Sequence, residues 1–181
     1  LWLDAEHRAA KLHLEFDILR GTPQRATVTD GNANEKQVLR ERLEADRLYV
    51  LDAGYGQYRL FEEIRQAGSS FVARLRDNAD YALIEERPLT DTDRAGGVVF
   101  DRVVHLGSAM RRDAVSAPVR VVKVHVENPP HRGLARRRSR VSSKKTFRHR
   151  PTAYALLLVT DRRDLPAESI ALLYRYRWTV E

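Results

Sequence analysis

The sequence predicts an α/β fold, a mixed sheet flanked by helices and interrupted by a β-rich insertion, and three observations predict it. Two alternating strand patterns come first, a helix, strand, helix, strand order follows them, and helical periodicity then gives way to three further strand-like runs. A chain of 181 residues with 43% apolar content is long enough for one domain with a sizeable core and short for two.

Residues Ala9 to Ile18 alternate, with Leu12, Leu14 and Phe16 on one face and Lys11, His13, Glu15 and Asp17 on the other. The Gly21-Thr22-Pro23 turn leads into a second strand over Gln24 to Thr29, so the pair predicts an antiparallel hairpin. Val38, Leu39, Leu43 and Ala45 recur at helical spacing between Asn34 and Asp46, with Asn32 or Asn34 as N-cap. A short apolar strand, Tyr49 to Asp52, precedes a second helix over Gln57 to Ala67, which Gly68 closes. Ser70 to Leu75 is another apolar strand.

From Asn78 the texture changes. Pro88 to Gly97 carries turn residues and charges without a helical period, and strand-like runs follow over Val98 to Leu106, Pro118 to Glu127 and Thr152 to Thr160. Residues 79 to 159 therefore read as the insertion. Beyond Thr160, Asp161 and Asp164 offer capping carboxylates, Pro166 suits a first turn, and Glu168 suits the positive end of the helix dipole. The last helix is expected to pack Leu173, Tyr176 and Val180 on the sheet.

Charge is distributed unevenly. The formal net charge is +7, yet Asn128 to Thr160 contains nine basic residues and no acid: Arg132, Arg136, Arg137, Arg138, Arg140, Lys144, Lys145, Arg148 and Arg150. Without these nine the chain keeps 23 basic against 25 acidic residues, so one segment carries the whole excess. Such a segment attracts phosphate backbones with little regard to sequence; its bland reading is a solvated loop.

No cysteine is present, which removes disulfides and thiolate-ligated zinc and points to a reducing, cytoplasmic setting. Apolar runs fall far below the roughly 20 residues of a membrane-spanning helix. The six histidines lack H-x-x-x-H spacing, Gly54-Tyr55-Gly56 lacks the third glycine of a dinucleotide fingerprint, and no phosphate-loop motif is present. Ser142 and Ser143 have no nucleophile-elbow context.

Two motifs carry chemistry. Leu48-Tyr49-Val50-Leu51-Asp52-Ala53-Gly54-Tyr55 ends a strand with a carboxylate and a glycine turn, a location where α/β folds gather ligand-binding groups. Tyr174-Arg175-Tyr176-Arg177-Trp178-Thr179-Val180-Glu181 places Tyr174, Arg177 and Glu181 on one helical stripe, with Arg177 about 60° and Glu181 about 20° from Tyr174 around the axis. Taken singly, Asp52 reads more readily as a turn cap, Glu181 equally as a solvated carboxylate, and Arg177 as its helix partner.

The spacing Y-x-x-R-x-x-x-E, the L-D-A-G-Y run and Ala10 to Asp17 together resemble the DDE transposases of the IS4 insertion-sequence type, and the resemblance covers nearly the whole chain. It implies an RNase H-like core, completed by a strand ahead of Leu1, and Mg²⁺- (or Mn²⁺-) dependent cleavage and transfer of DNA strands at transposon ends. In its terms Asp52 matches the second aspartate of the D-D-E set and Glu181 the glutamate, both as catalytic metal ligands, while Tyr174 and Arg177 match the groups that contact phosphate. Arg136, Arg137, Arg138, Arg140, Lys144 and Lys145 would grip the DNA backbone. A homodimer on paired DNA ends and a location at the bacterial nucleoid in the cytoplasm are further implications, with no membrane association.

The first aspartate of the set is expected ahead of Leu1 and a lysine beyond Glu181; Asp4 lacks the D-G, D-S or D-T context. The absence of an initiator methionine points the same way, so the sequence is read as a core fragment with little or no activity of its own. Residues 79 to 159 also contain no tryptophan with which to stack a flipped base. Two alternatives stay open, a non-catalytic DNA-binding remnant and an RNase H-like nuclease of different substrate.

Overall fold

The structure, a computed structural model, describes residues 9–107, 115–127 and 153–180. Strands β1 (Ala10–Asp17) and β2 (Thr22–Asp30) pair antiparallel, as the alternation predicts, but form a two-stranded sheet of their own. Its apolar face is the exposed one. Leu12, Leu14 and Val28 are 64%, 45% and 59% exposed. The polar face is the packed one: Lys11 Nζ donates to the Ala33 carbonyl at 3.0 Å, Arg42 bonds Thr27, and His13 Nε2 lies 2.8 Å from Thr29 Oγ1.

Helix α1 (Glu35–Arg40) starts at Asn34, whose side chain accepts from the Lys36 N–H at 3.0 Å. It stops short of Asp46 because side chains satisfy the backbone that follows. Tyr49 Oη accepts from the Glu44 N–H at 2.9 Å, and Ser69 Oγ accepts from the Arg47 N–H at 2.9 Å while donating to the Glu44 carbonyl at 2.5 Å. Those bonds replace helical ones and steer the chain into β3 (Leu48–Leu51).

After β3 come α2 (Tyr58–Gln66), β4 (Ser70–Leu75), β5 (Tyr81–Arg87), α3 (Asp91–Ala95), β6 (Val98–Leu106), β7 (Val119–Glu127), β8 (Ala153–Thr160) and α4 (Ala167–Tyr176). The main sheet has six strands in the order β3-β4-β8-β7-β6-β5. Strands β3 and β4 are parallel and the other neighbours antiparallel, which makes the sheet mixed. The four strands β5 to β8 continue the sheet that β3 and β4 begin.

Each face of this sheet buries a separate core. On one side, Leu60, Phe61 and Ile64 of α2 cover Phe71, Ala73, Leu75, Val121 and Val159, with the Phe61 and Phe71 rings stacked 4.5 Å apart. On the other, Ala167, Ile170, Ala171 and Tyr174 of α4 cover Val72, Val122, Val124, Leu156 and Leu158. The α4 contact stripe thus differs from the expected Leu173 and Tyr176, and the Val180 side chain of that expectation lies outside the described residues. Tyr176 is 42% exposed, and the i, i+3, i+4, i+7 series beginning at Ala167 is the one that meets the sheet. The result is an α/β fold with a mixed sheet between helices.

Two elements escaped the sequence reading. Strand β5 is an exposed edge whose residues do not alternate in burial. Helix α3 is a five-residue turn held by a capping box, in which Thr90 Oγ1 accepts from the Asp93 N–H at 3.1 Å and Asp93 accepts from the Thr90 N–H at 2.9 Å. Asp93 also caps α4, accepting from the Glu168 N–H at 3.0 Å in place of the expected Asp161 or Asp164. Burial works against its ionisation but is outweighed by bonds from the Glu168 side chain and Thr90, so its carboxyl is held low; Glu168, bonded to it, is pushed up. At the end of α3, Gly97 has φ +84°, and a Cβ there would sit 2.7 Å from the His125 carbonyl oxygen. That position admits only glycine without rearrangement.

Candidate active site at the carboxyl ends of the parallel strands

Asp52 leaves β3 in extended backbone (φ −78°, ψ 169°) and precedes a 3-10 turn over Ala53–Tyr55. Its side chain makes no capping bond to that turn, so the bland reading of Asp52 as a turn cap fails. The carboxylate faces α4 instead. Tyr174 Oη, 122 residues away in sequence, donates to Asp52 Oδ1 at 3.0 Å.

Alternation explains the direction. Leu48 and Val50 belong to the core under α4, Tyr49 and Leu51 to the core under α2, and the extended backbone carries the alternation one residue further. Tyr174 is fixed from its own side: it is 1% exposed, closes the α4 packing stripe, and meets the Trp178 ring edge-on at 6.0 Å. Burial first, then the neighbouring Asp52 charge, push its hydroxyl up to about 12, against the pull of Arg177. At neutral pH it is therefore a phenol that donates.

Arg177 follows α4 in a 3-10 turn (Arg177–Val180), so the α-helical geometry assumed for the Y-x-x-R-x-x-x-E stripe ends at Tyr176. Its guanidinium still reaches the same place. Nη2 lies 3.9 Å from Asp52 Oδ1, and Cζ lies 5.3 Å from the Tyr174 ring centroid. With side chains only 16% and 28% exposed, Arg177 and Asp52 are a partly shielded pair at the limit of ion-pair distance. Such a pair adds at most about 1 kcal/mol to stability.

Of the expected site residues, the structure thus brings Asp52, Tyr174 and Arg177 together. Glu181, Arg136, Arg137, Arg138, Arg140, Lys144 and Lys145 lie outside the described residues. Among the described residues no group of three metal-ligating side chains forms, and no helix is long and apolar enough to cross a membrane. Asp52 offers hard carboxylate oxygen at a strand end, the donor type that Mg²⁺ and Mn²⁺ take. Arg74, which sequence reading passed over, lies one residue before the end of β4 on the same side of the sheet; the signal was one cation in the otherwise apolar run Phe71-Val72-Ala73-Arg74-Leu75.

A carboxylate at the end of a parallel strand, bonded by a tyrosine of the helix packed on the sheet and faced by an arginine just past that helix, is an arrangement suited to phosphodiester chemistry. Residues 4–181 match the family described as "Transposase DDE domain", and the chain belongs to that family. A protein of Sinorhizobium fredii (strain NBRC 101917 / NGR234), named "Putative transposase y4zB", is 27% identical over 175 residues. The match covers 96% of this chain and 42% of that relative, so the chain spans less than half the length of the relative.

Replacing Tyr174 by phenylalanine keeps the ring packing and removes one bond to a carboxylate. We expect a loss of about 1 to 2 kcal/mol, read by urea denaturation at pH 7. The pH dependence has a definite sign. Because the folded-state hydroxyl ionises near 12 and an unfolded tyrosine near 10, the wild-type contribution is intact below about pH 10 and is lost as pH rises towards 12. The gap between wild type and Tyr174→Phe should narrow across that interval.

Proposed function

We propose that this chain is the catalytic core of an IS4-type transposase, an RNase H-like domain carrying an insertion over about 79 to 159, that cuts and joins DNA strands at element ends. The observation that carries the reading is the meeting of Asp52 with Tyr174 and Arg177 at the carboxyl end of β3. Asp52 and Glu181 would hold Mg²⁺ or Mn²⁺, which when bound stabilises charge on the attacking and leaving oxygens of the phosphodiester. Tyr174 orients the Asp52 carboxylate through its hydroxyl. Arg177 presents a planar fork to a phosphate beside that carboxylate. The basic residues Arg136, Arg137, Arg138, Arg140, Lys144 and Lys145 supply backbone attraction along the duplex. The working form is a homodimer on paired DNA ends, in the cytoplasm at the nucleoid.

The test is binding of a fluorescent nicked duplex at fixed ionic strength, with and without Mg²⁺. The proposal expects Mg²⁺ to tighten binding to the wild-type chain and to leave Asp52→Asn unaffected. Salt-dependent binding indifferent to Mg²⁺ in both proteins would favour a DNA-binding remnant. Cleavage without preference for element ends would favour a nuclease.

A further inference from the structure

Arg74 is a half-buried cation with its Nε shielded from solvent and, among the described residues, without a hydrogen-bond partner. Neither does its guanidinium form an ion pair with any described carboxylate, although most arginines of the fold do: Arg120 with Asp101, Arg40 with Glu63, Arg102 with Glu86 and Arg162 with Asp164. An Nε–H held in this way loses hydration without recovering it from the described part of the protein. Strand β4 keeps it there although its neighbours Ala73 and Leu75 are fully apolar.

Its position follows from the strand pairing. Leu51 of β3 is in register with Ala73 of β4 in the parallel pair, so Asp52 and Arg74 are the next residues along on adjacent strands. Both project to the α4 side: Val72, two residues before Arg74, and Leu158, its β8 partner, belong to the core beneath α4. The turn after Asp52 closes over the same strand end, where a Cβ built on Gly56 would lie 3.6 Å from the Arg74 carbonyl oxygen. Arg74 therefore lies beside Asp52 by register and on the same face of the sheet, while Arg177 reaches the Asp52 carboxylate from the end of α4.

We propose that Arg74 is a further phosphate-binding residue of this site, its fork completed by a non-bridging oxygen of the DNA strand next to Asp52. The assignment rests on the reading that DNA strands meet the Asp52, Tyr174 and Arg177 cluster. It explains why a strand otherwise built for burial carries an arginine one residue before its carboxyl end, and why the shielded Nε–H finds no acceptor among the described residues. Tyr174 is already committed to Asp52, so a cation from the sheet adds a contact that α4 alone cannot make.

The test compares the wild-type chain with Arg74→Gln, Arg74→Lys and Arg177→Gln for binding to a duplex whose nick bears a 5′-phosphate or a 5′-hydroxyl, over a series of salt concentrations. Arg74→Gln should weaken binding to the phosphorylated nick roughly tenfold and lower the slope of log K against log salt by about 0.9, the value for one phosphate contact. Arg74→Lys should keep the slope, because the charge remains, and recover only part of the affinity, because the fork does not. A structural role alone would change the melting temperature and leave the slope and the phosphate preference untouched. Folded Arg74→Gln with wild-type affinity and slope overturns the proposal; if that variant does not fold, Arg74→Lys with undiminished affinity for the phosphorylated nick overturns it. Should Arg177→Gln lose the preference while Arg74→Gln keeps it, the Arg74 assignment alone fails. Should neither variant change it, the reading of the whole site fails.

Discussion

Arg120→Ala should destabilise the domain by about 3 to 5 kcal/mol, the scale for breaking a buried ion pair and leaving the partner charge behind. Arg120 is 1% exposed and grips Asp101 through two bonds of 2.7 Å, Nε to Oδ1 and Nη2 to Oδ2. Asp101 is itself 3% exposed, so the aspartate left in the variant would have, among the described residues, only Arg87, 3.7 Å away, to answer its charge. Arg120 Nη1 also bonds the carbonyl of Leu165 and, at 3.4 Å, that of Arg162, which ties β7 to the loop entering α4. Losing it removes both the pair and the tether that sets where α4 begins. Since whole domains are stable by only about 5 to 15 kcal/mol, the variant should show a much lower urea midpoint or fail to accumulate. Replacing Arg120 and Asp101 together by methionine and leucine should restore much of the loss, because no charge is then left buried. A single variant that loses under 1 kcal/mol would refute the account of this pair.

The second large effect concerns chemistry. In the proposed reaction Asp52→Asn should reduce Mg²⁺-supported strand cleavage by at least about 10²- to 10³-fold, the loss typical of removing one preorganised charge-stabilising group. Folding should change little, since the carboxylate is 28% exposed and its contact with Arg177 is long. Asparagine also keeps an acceptor for the Tyr174 hydroxyl. Cleavage assays on the protein with its flanking coding sequence, alongside denaturation of the same variant, separate the two effects. A loss below about threefold would remove Asp52 from the catalytic machinery.

How much of this was legible beforehand varies by element, for physical reasons. The α2 helix and the strands β3 and β4 were read almost to the residue, because a buried strand and an amphipathic helix write their periods strongly into the sequence. The hairpin was read in its alternation but not in its orientation. A period of two separates Leu12 and Leu14 from Lys11 and His13 without saying which side is covered, and here the polar side is. Helix α3 was missed because five residues show no period; its Thr90 and Asp93 capping box was the available signal.

At the site, Asp52, Tyr174 and Arg177 of the two motifs do meet, while Glu181 lies outside the described residues. Their meeting depends on the sheet, and no local pattern states that the end of β3 lies against the end of α4. The same limit hid Arg74, whose significance comes from register with Asp52 and not from its own surroundings in sequence. The α4 contact face was misassigned for a related reason. Adjacent stripes of a helix rich in Leu, Tyr and Ala are similar in polarity, and the small residues Ala167 and Ala171 let the backbone approach the sheet more closely than Leu173 and Tyr176 would.

The central claim is that a divalent cation sits where Asp52 faces the end of α4. Ferrous iron substituted for Mg²⁺ and activated with ascorbate and peroxide cuts the polypeptide close to where the ion is bound. The account predicts two clusters of cuts, one around Asp52 to Gly54 and one near the carboxyl end of α4, both lost in Asp52→Asn. Cuts confined to other parts of the chain, or an unchanged pattern in Asp52→Asn, would contradict it.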